Sequence, residues 1–285
     1  MRKLAREHGI DTAALAAELG QDRVSEADVR RKMSSAAGAP SVGPDPWDVD
    51  HSAFGPGEAA ELSRFEQLAA ANLTASLRHI PAVTHHDRAD MSAVEQFRKS
   101  LAGEAESRGV RLTALAFHVK ALARAMRDFP RFNASLSADR KSLWLKHYLD
   151  IGIAVDTPNG LMVPVLRGCS DKGLWAIAGE IADLAGRAQE RKIRPNEMGG
   201  AGMSITNLGG IGGRAFSPIV NPPEVAILGL TRASVEPVWD GDAFQPVLMC
   251  PLSLSYDHRV INGADAARFL SHYAGLLADP RKLLL

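Results

Sequence analysis

The sequence predicts an α/β fold, a sandwich of two or three layers, and three observations carry that reading. Strand-like apolar runs fall at 151–155, 161–166, 203–206, 225–230 and 247–256, apolar enough to form a buried central sheet. Apolar residues also recur at helical spacing, Leu115, Val119, Leu122 and Met126 in one stretch and Leu174, Ile177, Ile181 and Leu184 in another, so helices can cover that sheet. Third, 46% of the 285 residues are apolar, which suffices for a sizeable core.

Residues 1–33 are charged and alanine-rich and read as three short helical pieces. Leu4, Ala5 and His8 suggest the first, ending near Gly9. Asp11 can cap the second, and Ser25 can cap the third with Asp28 at its third helical position. Pieces so short make a marginal fold alone. Residues 34–57 spread Pro40, Pro44, Pro46 and Pro56 among Ser, Ala and Gly, the composition of a semi-flexible linker. The large domain is then 58–285. Within it Ser170 is the expected cap of the second helical stripe. His118 lies on the first stripe and reads as a satisfied core histidine.

Thirty-three basic and 33 acidic side chains cancel, leaving no net field to favour nucleic acid or an anionic membrane. Cys169 and Cys250 are too few for a disulfide framework and lack the spacing of a metal site. His85-His86 sits in a loop-like context without further ligands, so no metal is expected. No apolar run approaches the roughly 20 residues that span a bilayer, and the N-terminus has no continuous apolar core of a secretory signal. A cytoplasmic protein is the reading, with a mitochondrial matrix protein stripped of its presequence as the remaining alternative.

The most informative stretch is Ser253-Leu254-Ser255-Tyr256-Asp257-His258-Arg259-Val260-Ile261-Asn262-Gly263. Leu252, Leu254 and Tyr256 alternate with serines as in a half-buried strand, and Phe269, Leu270, Tyr273, Leu276 and Leu277 then recur at helical spacing. His258 therefore stands at a strand-to-helix turn, with Asn262 as N-cap of the helix. An isolated histidine near a turn is usually a surface or structural residue. An imidazole held there can also take a proton from a nucleophile and pass it on, since it titrates near neutrality. The run Gly209-Gly210-Ile211-Gly212-Gly213 lacks the spacing of a dinucleotide-binding loop and reads as a tight turn.

The string Asp257-His258-Arg259-Val260-Ile261-Asn262-Gly263-Ala264 resembles the His-x-x-x-Asp-Gly signature of the dihydrolipoamide acyltransferases, the core enzymes of 2-oxo acid dehydrogenase complexes. The likeness covers nearly all of 58–285: Phe129 to Leu136, Ile151 to Val165, Ser204 to Gly213 and Ile219 to Gly229 resemble family landmarks in their order. It implies a chloramphenicol acetyltransferase-like sandwich with a central mixed sheet. It also implies His258 as general base and Thr206 as hydroxyl donor to the oxyanion, contributed by different subunits of a homotrimer. Asn262, where the signature has aspartate, keeps a hydrogen-bonding oxygen and an orienting role. Arg98 resembles an arginine that braces the catalytic turn, although a solvated helix charge reads equally well.

Residues 1–33 resemble a peripheral-subunit-binding domain, which implies decarboxylase and dihydrolipoamide dehydrogenase subunits as partners. Arg23 and Asp28 keep their places there, while Ala17-Glu18-Leu19-Gly20 replaces the usual Gly-Thr-Gly-Pro loop. No lipoyl domain precedes the linker, so the lipoyl group is expected from a separate domain or chain. Thr74-Ala75 and Ala82 depart from the polar residues of relatives, near the expected substrate channel.

The function implied is transfer of an acyl group, acetyl in the first place, between a dihydrolipoyl thiol and coenzyme A as substrate, without a metal and without an acyl-enzyme. Two alternatives stand beside it: a catalytically decayed core or docking scaffold, and a small-molecule acetyltransferase.

Overall fold

The computed structural model describes residues 5, 10–19, 21, 24–29, 47, 49–158 and 160–283. Leu4, His8, Gly9, Gly20, Arg23 and most of the expected linker lie outside the described residues. The chain divides into two compact units, Met1–Glu61 and Leu62–Leu285.

In the first unit, helix α1 (Thr12–Leu19) begins after Asp11, whose Oδ1 accepts from the Ala14 amide at 3.4 Å. Ala17 and Leu19, which stand where the resembled domain has a loop, belong to this helix. Residues 26–29 are helical, and Ser25 caps them as expected. Its Oγ accepts from the Asp28 amide at 3.2 Å while Asp28 Oδ2 accepts from the Ser25 amide at 2.9 Å. This reciprocal pair satisfies donors that a helix start leaves open. Leu15, Val24 and Val29 form a small core with Ala5.

The second unit opens with α2 (Arg64–His79), started by a capping box between Ser63 and Glu66. Strand β1 (Ala82–Asp90) follows, then α3 (Ser92–Ser100), α4 (Ala102–Ser107) and α5 (Ala114–Asp128). Next come the short strands β2 (Ala134–Leu136), β3 (Leu143–Leu145), β4 (Ile151–Ile153), β5 (Val155–Thr157), β6 (Gly160–Met162) and β7 (Val165–Leu166). Helix α6 (Leu174–Gln189) leads to β8 (Met203–Asn207), β9 (Ala226–Leu230), β10 (Ser234–Trp239), β11 (Phe244–Asp257) and α7 (Gly263–Leu277). The main sheet runs β1-β11-β9-β8-β4-β7, with β10 also paired to β11. It is mixed: β8 lies parallel to β4 and β9, and the other pairings are antiparallel.

Strand alternation gives this sheet two unlike faces. Met203, Ile205, Leu228, Leu230, Leu252, Leu254 and Tyr256 enter the large core with α5, α6 and α7. Ser204, Thr206, Gly229, Ser253 and Ser255 hold the alternate positions. The alternation around His258 suggested a strand wet on one side, but Ser253 and Ser255 are as buried as the leucines. Their cover comes from residues 216–220. The Phe216 ring lies over Gly229, where an added Cβ would come within 2.7 Å of it, and Val220 packs with Ile80 and Ile227 in a second small core.

The helical stripes fold as expected, with Val119, Leu122, Met126, Ile177, Ile181, Phe269 and Tyr273 buried. Ser170 is not the cap of α6, however. That place belongs to Gly173, and the Ser170 carbonyl instead accepts from Lys120 Nζ at 2.8 Å. His85 and His86 are not in a loop either; they belong to β1, where His86 Nδ1 lies 3.0 Å from Ser253 Oγ. Polar residues can fill β1 because it is an edge strand of the path, antiparallel to β11 over its whole length.

Candidate active site

His258 sits in the turn after β11, as its sequence neighbours imply, and the turn is fixed at several points. The His258 amide donates to the Pro81 carbonyl at 3.1 Å, and the Val260 and Ile261 amides both donate to the Asp257 carbonyl at 3.0 Å. Buried Asp257 accepts from the Arg259 amide at 3.0 Å and pairs with its guanidinium at 2.6 Å. From the other side Arg131 Nη2 donates to the Val260 carbonyl at 2.9 Å. With the backbone held this way, the imidazole itself stays exposed, tilted against the Tyr256 ring at 5.9 Å between centroids. Asn262 caps α7, its Oδ1 accepting from the Asp265 amide at 2.8 Å.

Arg98 does not brace this turn. It lies on α3, where its guanidinium donates two 2.8 Å bonds to the Glu95 carboxylate and one of 3.3 Å to the Leu112 carbonyl. The bracing arginine is Arg131, which sequence reasoning missed. Its partner is 129 residues away, and the one local hint was its place inside the Phe129 to Leu136 block. The Asp257–Arg259 pair flanking His258 was also missed, although both residues stood in the quoted string. Ala82 pairs with Asp257 across the sheet, one residue from His258.

Thr206, half-buried near the end of β8, lies opposite Gly229 of β9, and Gly229 lies opposite Ser253 of β11. Thr206 is therefore level with a residue five positions before His258. At about 3.4 Å per residue this is roughly 17 Å along the strand, with two strand spacings of about 4.8 Å to cross as well. Within one chain the two side chains cannot meet. The strand ends that carry them lie at opposite ends of the sheet.

Beside Asn207, the last residue of β8, a cavity of about 520 Å³ opens between α5, α6 and the sheet. Its lining is mainly apolar, with exposed Arg111 and buried His118 among the polar exceptions. His118 is the satisfied core histidine expected: its Nδ1 lies 2.6 Å from the Tyr273 hydroxyl, and burial pushes its pKa down to about 4. A neutral imidazole results. Cys250 also lines this space, while burial raises its thiol to about 11 and that of Cys169 to about 12. Neither thiol is an activated nucleophile. The glycine run forms the expected tight turn. Gly212 and Gly213 adopt φ of 150° and 88°, and Arg232 clasps the Gly209, Gly210 and Ile211 carbonyls at 3.1–3.3 Å. Among the described residues no three His, Cys, Asp or Glu side chains group to hold a metal ion, and no helix is long and apolar enough to cross a membrane.

Residues 55–285 match the family described as 2-oxoacid dehydrogenases acyltransferase (catalytic domain). The chain is 47% identical to the dihydrolipoyllysine-residue acetyltransferase component of the pyruvate dehydrogenase complex of Pseudomonas aeruginosa, over all of this chain and 54% of that protein. It is 46% identical to the same component of Azotobacter vinelandii, over all of this chain and 46% of the relative. The chain thus spans about half the length of the curated relatives it matches. Among solved structures, one of Azotobacter vinelandii dihydrolipoamide acetyltransferase superposes with a TM-score of 0.83 at 48% identity, covering 87% of this chain and all of that one. That work concerned the role of a serine, a histidine and an asparagine in the catalytic mechanism. Thr206, His258 and Asn262 repeat the 52- and four-residue spacing of those three. The cubic core of a pyruvate dehydrogenase multienzyme complex superposes with the same TM-score of 0.83, at 48% identity and the same coverage.

Proposed function

The chain belongs to the family of 2-oxoacid dehydrogenase acyltransferase catalytic domains, and from that premise we propose that it moves an acetyl group between a dihydrolipoyl thiol and coenzyme A. His258 takes the proton of the attacking thiol, because the thiolate is the nucleophile. The sulfur adds to the thioester carbonyl, and the Thr206 hydroxyl donates to the alkoxide that forms. Collapse expels the second sulfur, which recovers the proton from His258. No bond to the protein forms. Asn262 orients the turn through its cap, and Arg131 and the Asp257–Arg259 pair hold the backbone that presents the ring. The cavity beside Asn207, with Arg111 at its wall, is the place we assign to coenzyme A. The lipoyl group comes from a separate domain or chain. As partners we propose the 2-oxo acid decarboxylase and dihydrolipoamide dehydrogenase of such a complex, and as setting the cytoplasm, in keeping with the bacterial relatives. For the chain's own parts we propose a docking segment at 1–33, a linker at 34–57 and the acyltransferase domain at 58–285.

The observation that carries this reading is the separation of Thr206 from His258 within one chain. Both can serve one reaction only if the site is shared between copies, as in a homotrimer. Exposed apolar side chains on α2 and the β10–β11 hairpin, including Leu68, Leu77, Trp239 and Phe244, support association.

Complementation tests the reading directly. Thr206→Ala and His258→Ala chains, assembled separately, should each lose acetyl transfer between acetyl-CoA and dihydrolipoamide, the first by about 10²- to 10³-fold in kcat. Unfolded and reassembled together, they should regain about a quarter of wild-type activity, because one interface in four then pairs an intact histidine with an intact threonine. Mixed assemblies that stay inactive would refute the shared site, and full activity in either single variant would refute its role.

A further inference from the structure

Two buried side-chain acceptors among the described residues have no hydrogen-bond partner, Asn133 Oδ1 and Glu224 Oε2. Glu224 is the consequential one. It is 5% exposed, and its other oxygen, Oε1, accepts from Ser204 Oγ at 3.0 Å and from Asn221 Nδ2 at 3.2 Å. An ionised carboxylate would leave one charged oxygen buried without a hydrogen bond, a heavy cost in a low dielectric. A protonated one loses much less. Burial accordingly raises this carboxyl to about 7.

The position of this group relates it to the chemistry. Ser204 and Thr206 are two apart on β8 and project from the same face, about 7 Å from each other. The next residue, Val225, accepts through its carbonyl from the Asp257 amide at 2.8 Å, so the same backbone step anchors the strand end that carries His258. Other charges bear on the carboxyl as well. Lys146, itself buried and held by the Ala201 carbonyl at 2.7 Å, attracts the ionised form, and Asp150 in turn favours the charged lysine. His79, Arg140, Asp257 and Arg259 join Glu224 around a neighbouring cavity of about 230 Å³.

We propose that Glu224 is a positioning residue for acyl transfer: its carboxyl holds Ser204 and with it the strand that aims Thr206, and when ionised it also opposes the alkoxide that Thr206 must stabilise. This rests on the Thr206 reading above. The effect is electrostatic and acts in the transition state, since the charge on the oxyanion is absent from bound substrate. It should therefore appear in kcat and leave KM nearly unchanged.

The test is the pH dependence of kcat and KM in assembled wild type, Glu224→Gln, Ser204→Ala and Thr206→Ala. Wild-type kcat should fall on the alkaline side of the Glu224 titration, by about tenfold. Glu224→Gln, which keeps the shape and cannot ionise, should lack that limb. Ser204→Ala removes a hydrogen bond that favours the ionised form, so the limb should move to higher pH. If Glu224→Gln keeps the wild-type limb at the same midpoint, or loses kcat equally at every pH with a lowered melting temperature, the proposal is overturned. Thr206→Ala separates the two readings. Undiminished kcat in that variant would sink the oxyanion role itself, whereas a large loss beside an unchanged Glu224→Gln profile would sink only the role of Glu224.

Discussion

The two faces of the central sheet are built from the same strands and do different work. On one, Leu228, Leu230, Leu252, Leu254 and Tyr256 are buried against three helices, so free energy there is chiefly a matter of area and packing density. On the other, hydroxyls meet hydroxyls and a carboxyl: Thr84 with Ser255 at 2.8 Å, Ser204 with Glu224 at 3.0 Å, and Thr206 at the strand end. Apart from the small Ile80–Val220–Ile227 core, that face gains more from direction than from buried apolar area. Stability and chemistry can then be changed separately, even between adjacent residues of one strand.

The widest gap is expected at Leu254. It is fully buried, between His85 of β1 and Leu228 of β9, and Leu254→Ala should cost about 2–5 kcal/mol through lost transfer energy and the cavity left behind. Denaturant unfolding of the assembled protein reads this, and kcat per folded assembly should stay near wild type. A variant that unfolds like wild type yet loses turnover would break the division between the faces.

Helices and apolar strands were legible in the sequence because burial on one side imposes a period on it. The stripes of α5, α6 and α7 could be read residue by residue. Strand β1 could not, since an edge strand tolerates Thr84-His85-His86-Asp87-Arg88, and β10 was hidden by Pro237 and its exposed positions. The leucine–serine alternation of β11 was visible, but the cover over its serines comes from residues 216–220, which carry no period. For the site, His258, Asn262 and Thr206 lay in recognisable strings. The grip of Arg131 on the Val260 carbonyl is made by the fold alone, as is the orphaned oxygen of Glu224.

His118 and Tyr273 are the exception on the apolar side, a polar pair within the helix layer. The histidine titrates at about 4 in the folded chain against 6.5 in its ordinary state. Because the folded value is lowered, its contribution is complete above about 6.5 and is lost as the pH falls toward 4. A shift of this size corresponds to roughly 3 kcal/mol. His118→Gln cannot take up the proton, so its unfolding free energy should fall less steeply between those limits, by about that amount. Parallel acid sensitivity in the two proteins would remove His118 from the account and leave the apolar face uniform.

The smallest effect discriminates most sharply between area and direction. Ser255→Ala removes almost no buried surface, but it deprives Thr84 Oγ1 of its partner, and this should cost about 1 kcal/mol. If pairing is what this face supplies, adding Thr84→Val should recover part of that loss, because two apolar groups in contact leave nothing unsatisfied. A double-mutant cycle measures the recovery as a coupling energy, about 0.5 kcal/mol or more between groups in contact. Strictly additive losses would mean that Ser255 acts through packing like its leucine neighbours, and the hydroxyl face would then differ from the apolar one in composition only.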